Sequence, residues 1–179
     1  MNLTVYCGAN VGNQAAYQDA ARALGAWMAK NGFGLVYGGG KIGIMGVIAD
    51  AVLDAGGHVT GIIPTFLRTR EMAHEGVTEM IETAGMAERK AKLLALGDAY
   101  IALPGGPGTL EEISEAYSAY RLHLHEKPCI VFNVNGCYDS LERYFDDMVT
   151  HGFLSPSDRK GIHFVSSLPE IGAILGVNE

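Results

Sequence analysis

No block of lysine and arginine appears in the 179 residues, which carry 13 basic side chains against 20 acidic ones. That balance argues against a nucleic-acid polymer as partner, because a phosphate backbone needs a dense cationic face. A small phosphorylated molecule needs only a few local cations and is not excluded. Cysteine is scarce: Cys7, Cys129 and Cys137 are odd in number and form no Cys-x-x-Cys pair. Reduced thiols in a cytoplasmic protein are expected, rather than a disulfide framework or a zinc site. No His/Cys/Asp cluster has the spacing of a metal site, so neither metal nor cofactor is expected. No apolar segment approaches the ~20 residues that span a bilayer, and MNLTVYCG enters a strand without a charged-then-apolar leader. Membrane contact is not expected. Repeats, low-complexity tracts and linkers are also missing, and residues 1–179 read as one domain.

What the chain does have is alternation. Apolar runs at residues 3–7, 34–37, 58–63, 77–81, 99–103, 129–133 and 163–165 predict strands. Between them, helical patterns cover residues 15–30, 43–55, 84–96, 109–123, 138–150 and 169–175, with 66–75 as a loop or short helix. Most strand runs are apolar on both faces, the mark of a parallel sheet covered on both sides. The predicted fold is α/β: a Rossmann-like, doubly wound parallel sheet of about seven strands with helices on both faces. Ligands in such sheets bind beyond the carboxyl ends of the strands. The turns at Gly8, at Gly38, Gly39 and Gly40, and at Gly105 to Gly108 all lie there, so they should converge on one crevice.

The most informative stretch is LPGGPGTLEE, Leu103 to Glu112. A strand runs into a glycine-rich turn and then a helix, a geometry that collects free backbone N–H groups at the positive end of a helix dipole. Glycines let the backbone approach an anion without Cβ atoms in the way. Thr109 and Glu112 also have the spacing of a capping box, which would make them structural. Glu111 and Glu112 would be repelled by a bound phosphate, so they point to solvent or are compensated by nearby cations.

GGGKIGIMG, Gly38 to Gly46, matches a dinucleotide fingerprint only weakly, since it follows the second strand and lacks a suitably spaced acidic partner. Phosphate or ribose contact is expected from it, with Gly46 present for close packing and Lys41 as a possible ligand cation. Arg89 and Lys90 lie early in a helix, where the dipole disfavours cations. They need an anionic partner, which Glu111, Glu112 or a ligand phosphate would provide.

Pro104-Gly105-Gly106-x-Gly108-Thr109-x-x-Glu112, with Arg89-Lys90 and the YGGGxxGxMG turn from Tyr37 to Gly46, resembles the Lonely Guy family over nearly the whole chain. Those proteins are phosphoribohydrolases that release cytokinin bases from riboside 5′-monophosphates; many relatives were once labelled lysine decarboxylases. The resemblance implies that Gly106, Pro107, Gly108 and Thr109 hold the 5′-phosphate, with Leu110 next to them. It implies Arg89 and Glu112 as the catalytic pair, Lys90 and Glu111 beside them, and ligand contacts at Glu71 and Ser118. Gly8, Gly39 and Gly40 complete the substrate-binding set through their turns. The family is dimeric and completes its pocket near the subunit interface, so a homodimer is implied. This chain departs from the family at Ala87, where His is common, at Pro107, where Tyr is common, and at residues 116–128, AYSAYRLHLHEKP, which help shape the base pocket.

The resulting expectation is hydrolysis of the N-glycosidic bond of AMP or an N6-substituted AMP, giving free base and ribose 5-phosphate. A carboxylate such as Glu112 would stabilise an oxocarbenium-like sugar while orienting or deprotonating water. Two rivals stand beside it: a non-catalytic nucleotide or cofactor carrier of the same fold, and a lysine decarboxylase, which would need pyridoxal phosphate on a lysine.

Overall fold

The computed structural model describes residues 1–177. Among the described residues, seven strands form one sheet: β1 (Asn2–Tyr6), β2 (Gly34–Tyr37), β3 (Val59–Pro64), β4 (Glu79–Thr83), β5 (Ala99–Ala102), β6 (Cys129–Phe132) and β7 (Ile162–Val165). Seven α-helices among the same residues connect and follow them: α1 (Ala15–Lys30), α2 (Gly43–Asp54), α3 (Met86–Leu96), α4 (Pro107–Arg121), α5 (Asp139–Thr150), α6 (Pro156–Arg159) and α7 (Leu168–Leu175). The sheet order is β4-β3-β2-β1-β5-β6-β7, and every pairing is parallel. The doubly wound α/β fold predicted from the alternation is the fold observed.

Its two faces follow from the period-2 geometry of a strand, in which successive side chains point to opposite sides. Leu3, Val5, Leu35, Tyr37 and Ile101 join one core with Leu24, Met28, Ile48, Val52 and Ile171 from α1, α2 and α7. Tyr6, Val36, Tyr100 and Val131 join the other, with Leu93, Ile113, Tyr117 and Phe145 from α3, α4 and α5. Thr4 is fully buried in the central strand, and its hydroxyl donates to the Leu93 carbonyl at 2.9 Å. A hidden polar group is thus satisfied, and α3 is tied to β1.

Chain order reverses direction at β1, whose neighbours are β2 on one side and β5 on the other. Loops leaving β1 and β5 go to opposite faces there, which opens the crevice typical of this architecture. The Gly8 N–H donates to the Pro104 carbonyl at 3.1 Å and holds the two strand ends together at its floor.

Several predicted boundaries shift, and one short helix is added. The fourth strand begins at Glu79 rather than Val77, because the Val77 N–H is used in a turn to the His74 carbonyl and the Thr78 hydroxyl accepts from the Val59 N–H. The third helix begins at Met86 rather than Ala84: Gly85 is extended, and the Glu88 carboxylate caps the Ala84 N–H at 2.9 Å. Helix α6 was not predicted, although Ser155 accepts from the Asp158 N–H in an ordinary N-cap ahead of Pro156.

Gly46 serves close packing, as expected. A Cβ there would overlap the Lys41 carbonyl oxygen, which the rigid turn into α2 cannot withdraw. Gly46→Ala should lower stability by about 2–4 kcal/mol in urea unfolding, whereas Gly85→Ala, at an extended position with open space, should change it by less than ~0.5 kcal/mol.

Candidate functional site

The turns after β1, β2 and β5 meet in a cleft of about 580 Å³. Gly8, Gly38, Gly105, Gly106 and Gly108 line it together with Glu71, Arg89 and Glu112. The crevice inferred from the three glycine turns is therefore present.

Helix α4 provides one wall. It starts at Pro107, two residues before the predicted start, with Gly106 as N-cap and no side-chain capping bond. Proline suits this first position because its φ is already helical and the N–H it lacks has no partner there. The capping-box reading of Thr109 and Glu112 is corrected accordingly: Thr109 lies inside the first turn and is buried, and Glu112 lies in the second. The ladder begins with the Leu110 N–H bonded to the Gly106 carbonyl at 3.2 Å. The N–H groups of Gly106, Gly108 and Thr109 belong to the end of the helix that has no intrahelical acceptors. A Cβ at Gly106 or Gly108 would meet no atom within 4 Å, so the space over these amides is open. Gly105 differs, because a Cβ there would strike the Thr109 side chain. Two of these glycines leave room for an anion, and one permits packing.

Arg89 forms the opposite wall. Its side chain is only 6% exposed. Nε donates to the Ile62 carbonyl at 3.1 Å, and Nη2 donates to the Gly38 carbonyl at 2.7 Å and to Glu71 Oε2 at 3.0 Å. From the sequence, its anionic partner was expected in Glu111, Glu112 or a ligand phosphate. Glu71 takes that place, because the segment between β3 and β4 folds back over the β2 turn. Arg89 Nη1 keeps only Met86 Sδ, at 3.9 Å. Lys90 turns away to an exposed ion pair with Glu111 at 2.8 Å and Glu115 at 3.1 Å.

Glu112 is half-buried on the cleft side of α4, and its pKa is pushed from 4.5 up to about 7. Burial is the main cause; the charge of Arg89 pulls the other way, and Glu111 and Glu71 add repulsion. A carboxyl poised near neutrality, facing a buried arginine and a helix N-terminus, is suited to proton transfer and to stabilising positive charge. Cys7 also lines the cleft, but burial drives its thiol strongly upward, so it stays protonated and is not a thiolate nucleophile.

Gly8, Glu71, Arg89, Gly106, Pro107, Gly108, Thr109 and Glu112 are thus gathered in one cleft. Gly39 and Gly40 lie behind its wall: Gly39 takes a left-handed φ of +78° against β3, and Gly40 pairs with Ala73. Lys90, Leu110, Glu111 and Ser118 lie outside the wall, with Leu110, Glu111 and Ser118 exposed. Lys41 is exposed and also outside it. Sequence reasoning missed the apolar lining, including Tyr17, Ile44, Met45, Leu67, Met86 and Tyr138. The signal for Tyr138 was its place at the carboxyl end of β6; its hydroxyl donates to the Leu103 carbonyl at 2.8 Å and steadies the turn into α4. Among the described residues, no lysine lines the cleft and no three His, Cys, Asp or Glu side chains gather to hold a metal.

The family described as "possible lysine decarboxylase" matches residues 45–174. The cytokinin riboside 5′-monophosphate phosphoribohydrolase LOG1 of Arabidopsis thaliana is 45% identical over 93% of this chain and 77% of its own length. The rice enzyme of the same name, LOG of Oryza sativa subsp. japonica, is 46% identical over 88% of this chain and 65% of its own. Among solved structures, the molybdenum cofactor carrier protein of Chlamydomonas reinhardtii superposes with a TM-score of 0.73 over 98% of this chain and 96% of its own, at 20% identity. That likeness establishes the common fold.

Since Gly108 has open space and lies in the first turn of a helix, Gly108→Ala should hold or slightly raise the melting temperature, alanine being the better helix former by up to ~1 kcal/mol. The same methyl group should weaken binding of a phosphomonoester about tenfold in calorimetry. Loss of stability with unchanged binding would contradict the assignment of this space to an anion.

Proposed function

The chain belongs to the Lonely Guy family of cytokinin riboside 5′-monophosphate phosphoribohydrolases, and we propose that it hydrolyses the N-glycosidic bond of AMP or N6-substituted AMP, releasing free base and ribose 5-phosphate. The observation that carries this reading is Glu112: a half-buried carboxyl near neutrality, in one cleft with a buried arginine and an open helix N-terminus. In this reading the 5′-phosphate sits on the N–H groups of Gly106, Gly108 and Thr109. The helix dipole and those amides stabilise its charge without moving, as preorganised dipoles do. The apolar lining from Met45 to Tyr138 supports a base, with or without an apolar N6 substituent, in the remaining space.

Cleavage breaks the bond between C1′ and the base nitrogen and forms one between C1′ and water oxygen. As the first bond lengthens, positive charge develops on the ribose, and ionised Glu112 stabilises it. The same carboxylate takes a proton from the attacking water, and the departing base takes up a proton. Arg89, with Nε and Nη2 held by protein acceptors, presents Nη1 to the ligand. A 5′-phosphate also disfavours ionisation of Glu112, which makes a facing cation useful.

The same reading takes residues 1–179 as one hydrolase domain that acts as a homodimer in the cytoplasm without a cofactor. No helix among the described residues is long and apolar enough to cross a membrane. A decarboxylase using pyridoxal phosphate would need a lysine facing the cleft, and none of the lining residues is lysine. The fold shared with molybdenum cofactor carriers supports a binding-only alternative, which product analysis separates from the hydrolase.

Incubation of the purified protein with AMP and with isopentenyl-AMP should yield free base and ribose 5-phosphate. Glu112→Gln and Arg89→Ala should each reduce the yield at least about a hundredfold. AMP that raises the melting temperature yet stays uncleaved would instead establish a carrier.

The pH dependence carries a sign. Ionised Glu112 is the active form, so kcat/KM should rise with pH and level off above about 7. Stability runs the other way: the fold holds this proton more tightly than the unfolded chain does. Its contribution is therefore complete below pH 4.5 and is lost as pH rises through about 7. Glu112→Gln should consequently be more stable than the parent at pH 8, by on the order of 2 kcal/mol, and the difference should vanish near pH 4.5. A Gln variant less stable than the parent at pH 8 would contradict the strained carboxylate.

A further inference from the structure

Residues between β3 and β4 deliver Glu71 to Arg89, but nothing in their sequence has the periodicity of a helix or strand. What holds this strap in place is a set of bonds around His74, a residue outside the cleft wall. The His74 N–H donates to the Gly39 carbonyl at 2.9 Å, and the Lys41 N–H donates to the Glu71 and Met72 carbonyls at 3.2 and 2.8 Å. Gly40 and Ala73 complete a short antiparallel bridge between strap and turn. The backbone beside Glu71 is bent, with Met72 at a left-handed φ of 48°. A conformation of that kind persists only where its surroundings over-determine it.

The imidazole of His74 is 6% exposed and both ring nitrogens are occupied. Nδ1 accepts the Gly76 N–H at 3.1 Å, and Nε2 lies 2.8 Å from Asp50 Oδ1. The first bond requires a bare Nδ1, so the hydrogen sits on Nε2 and is donated to Asp50. Asp50 stands on α2, and its carboxylate is 57% exposed. The buried ring therefore bolts the strap to a packed helix on one side, while its main chain bolts it to the glycine turn on the other. Arg89 uses that same turn, through the Gly38 carbonyl.

We infer that Asp50 and His74 are positioning residues for the hydrolase reaction: they hold the strap so that Glu71 fixes the guanidinium of Arg89 toward the cleft. The inference rests on the hydrolase reading for its effect on turnover, and on the hydrogen bonds alone for its effect on nucleotide binding. Neither side chain touches the ligand space. Their influence passes through Glu71, so it disappears once the Glu71 carboxylate is gone. A role in general stability would persist.

The test is a double-mutant cycle of Asp50→Ala and Glu71→Gln, with Asp50→Asn as the conservative variant, read as kcat, KM and melting temperature with AMP. Asp50 is solvent-exposed, so the variants should fold even if His74 variants do not. Asp50→Ala is expected to lower kcat/KM about tenfold, while Asp50→Asn, whose amide oxygen still accepts from Nε2, stays within about twofold of the parent. In the Glu71→Gln background, Asp50→Ala should produce no further loss. The inference is overturned if Asp50→Ala leaves kcat/KM within about twofold, or if its full loss recurs in the Glu71→Gln background. Should the parent protein not cleave AMP or isopentenyl-AMP, the hydrolase reading fails by itself. The same cycle is then read from the AMP dissociation constant by calorimetry, with the same pattern of non-additivity supporting the inference and additivity overturning it.

Discussion

A guanidinium buried to within 6% of full enclosure is the constraint to which the neighbourhood of the cleft answers. An unpaired charge at that depth costs several kcal/mol, so Arg89 is compatible with the fold only because two carbonyls and a carboxylate meet it. Each acceptor imposes a demand elsewhere. The Ile62 carbonyl requires α3 to lie against β3. Gly38 must lack a side chain, since a Cβ there would collide with Nη2. Glu71 must be brought over the β2 turn by a strap whose backbone is bent at Met72. One buried cation thereby couples the β2 turn, β3, the strap and α3.

Opposite the arginine, α4 meets the cleft with a different balance of charge. Its N-terminus favours an anion, yet its second turn brings Glu112 into the same space. Burial outweighs the attraction of Arg89, and the carboxyl is left near neutrality rather than fully ionised. Lys90, adjacent to Arg89 in sequence, lowers the Glu112 pKa only weakly, and its ammonium is paired with Glu111 and Glu115. Two neighbouring cations on one helix therefore do unlike work: one is buried and directed toward the cleft, the other neutralises the outer face of α4.

The topology explains why these groups meet. The order β4-β3-β2-β1-β5-β6-β7 reverses direction at β1, so the first and fifth strands end side by side although they are far apart in the chain. The Gly8 to Pro104 bond closes their ends, and the Tyr138 hydroxyl braces the Leu103 carbonyl from the β6 side. Strand ends on three sides support the glycine-rich turn between Pro104 and Gly108. The backbone amides at the start of α4 are thereby preorganised by the scaffold around them.

Much of this was legible in the residue order. Apolar runs alternating with amphipathic helices specified the parallel sheet, because a strand buried on both faces has no polar positions to spare. The glycine turns at strand ends announced a common crevice, and LPGGPGT announced a helix start whose first amides open onto it, since both follow from local backbone geometry. Even there, Thr109 and Glu112 satisfied the spacing of a cap while Pro107 and Gly106 took the position. What the tertiary structure alone decided was partnership. That Arg89 pairs with Glu71 rather than Glu112, that Lys90 faces outward, and that His74 reaches Asp50 depend on how an irregular strap folds over a distant turn. Periodicity encodes which face of an element is buried; it does not encode which charge a loop brings to meet it, because that is set by the summed path of the chain between them.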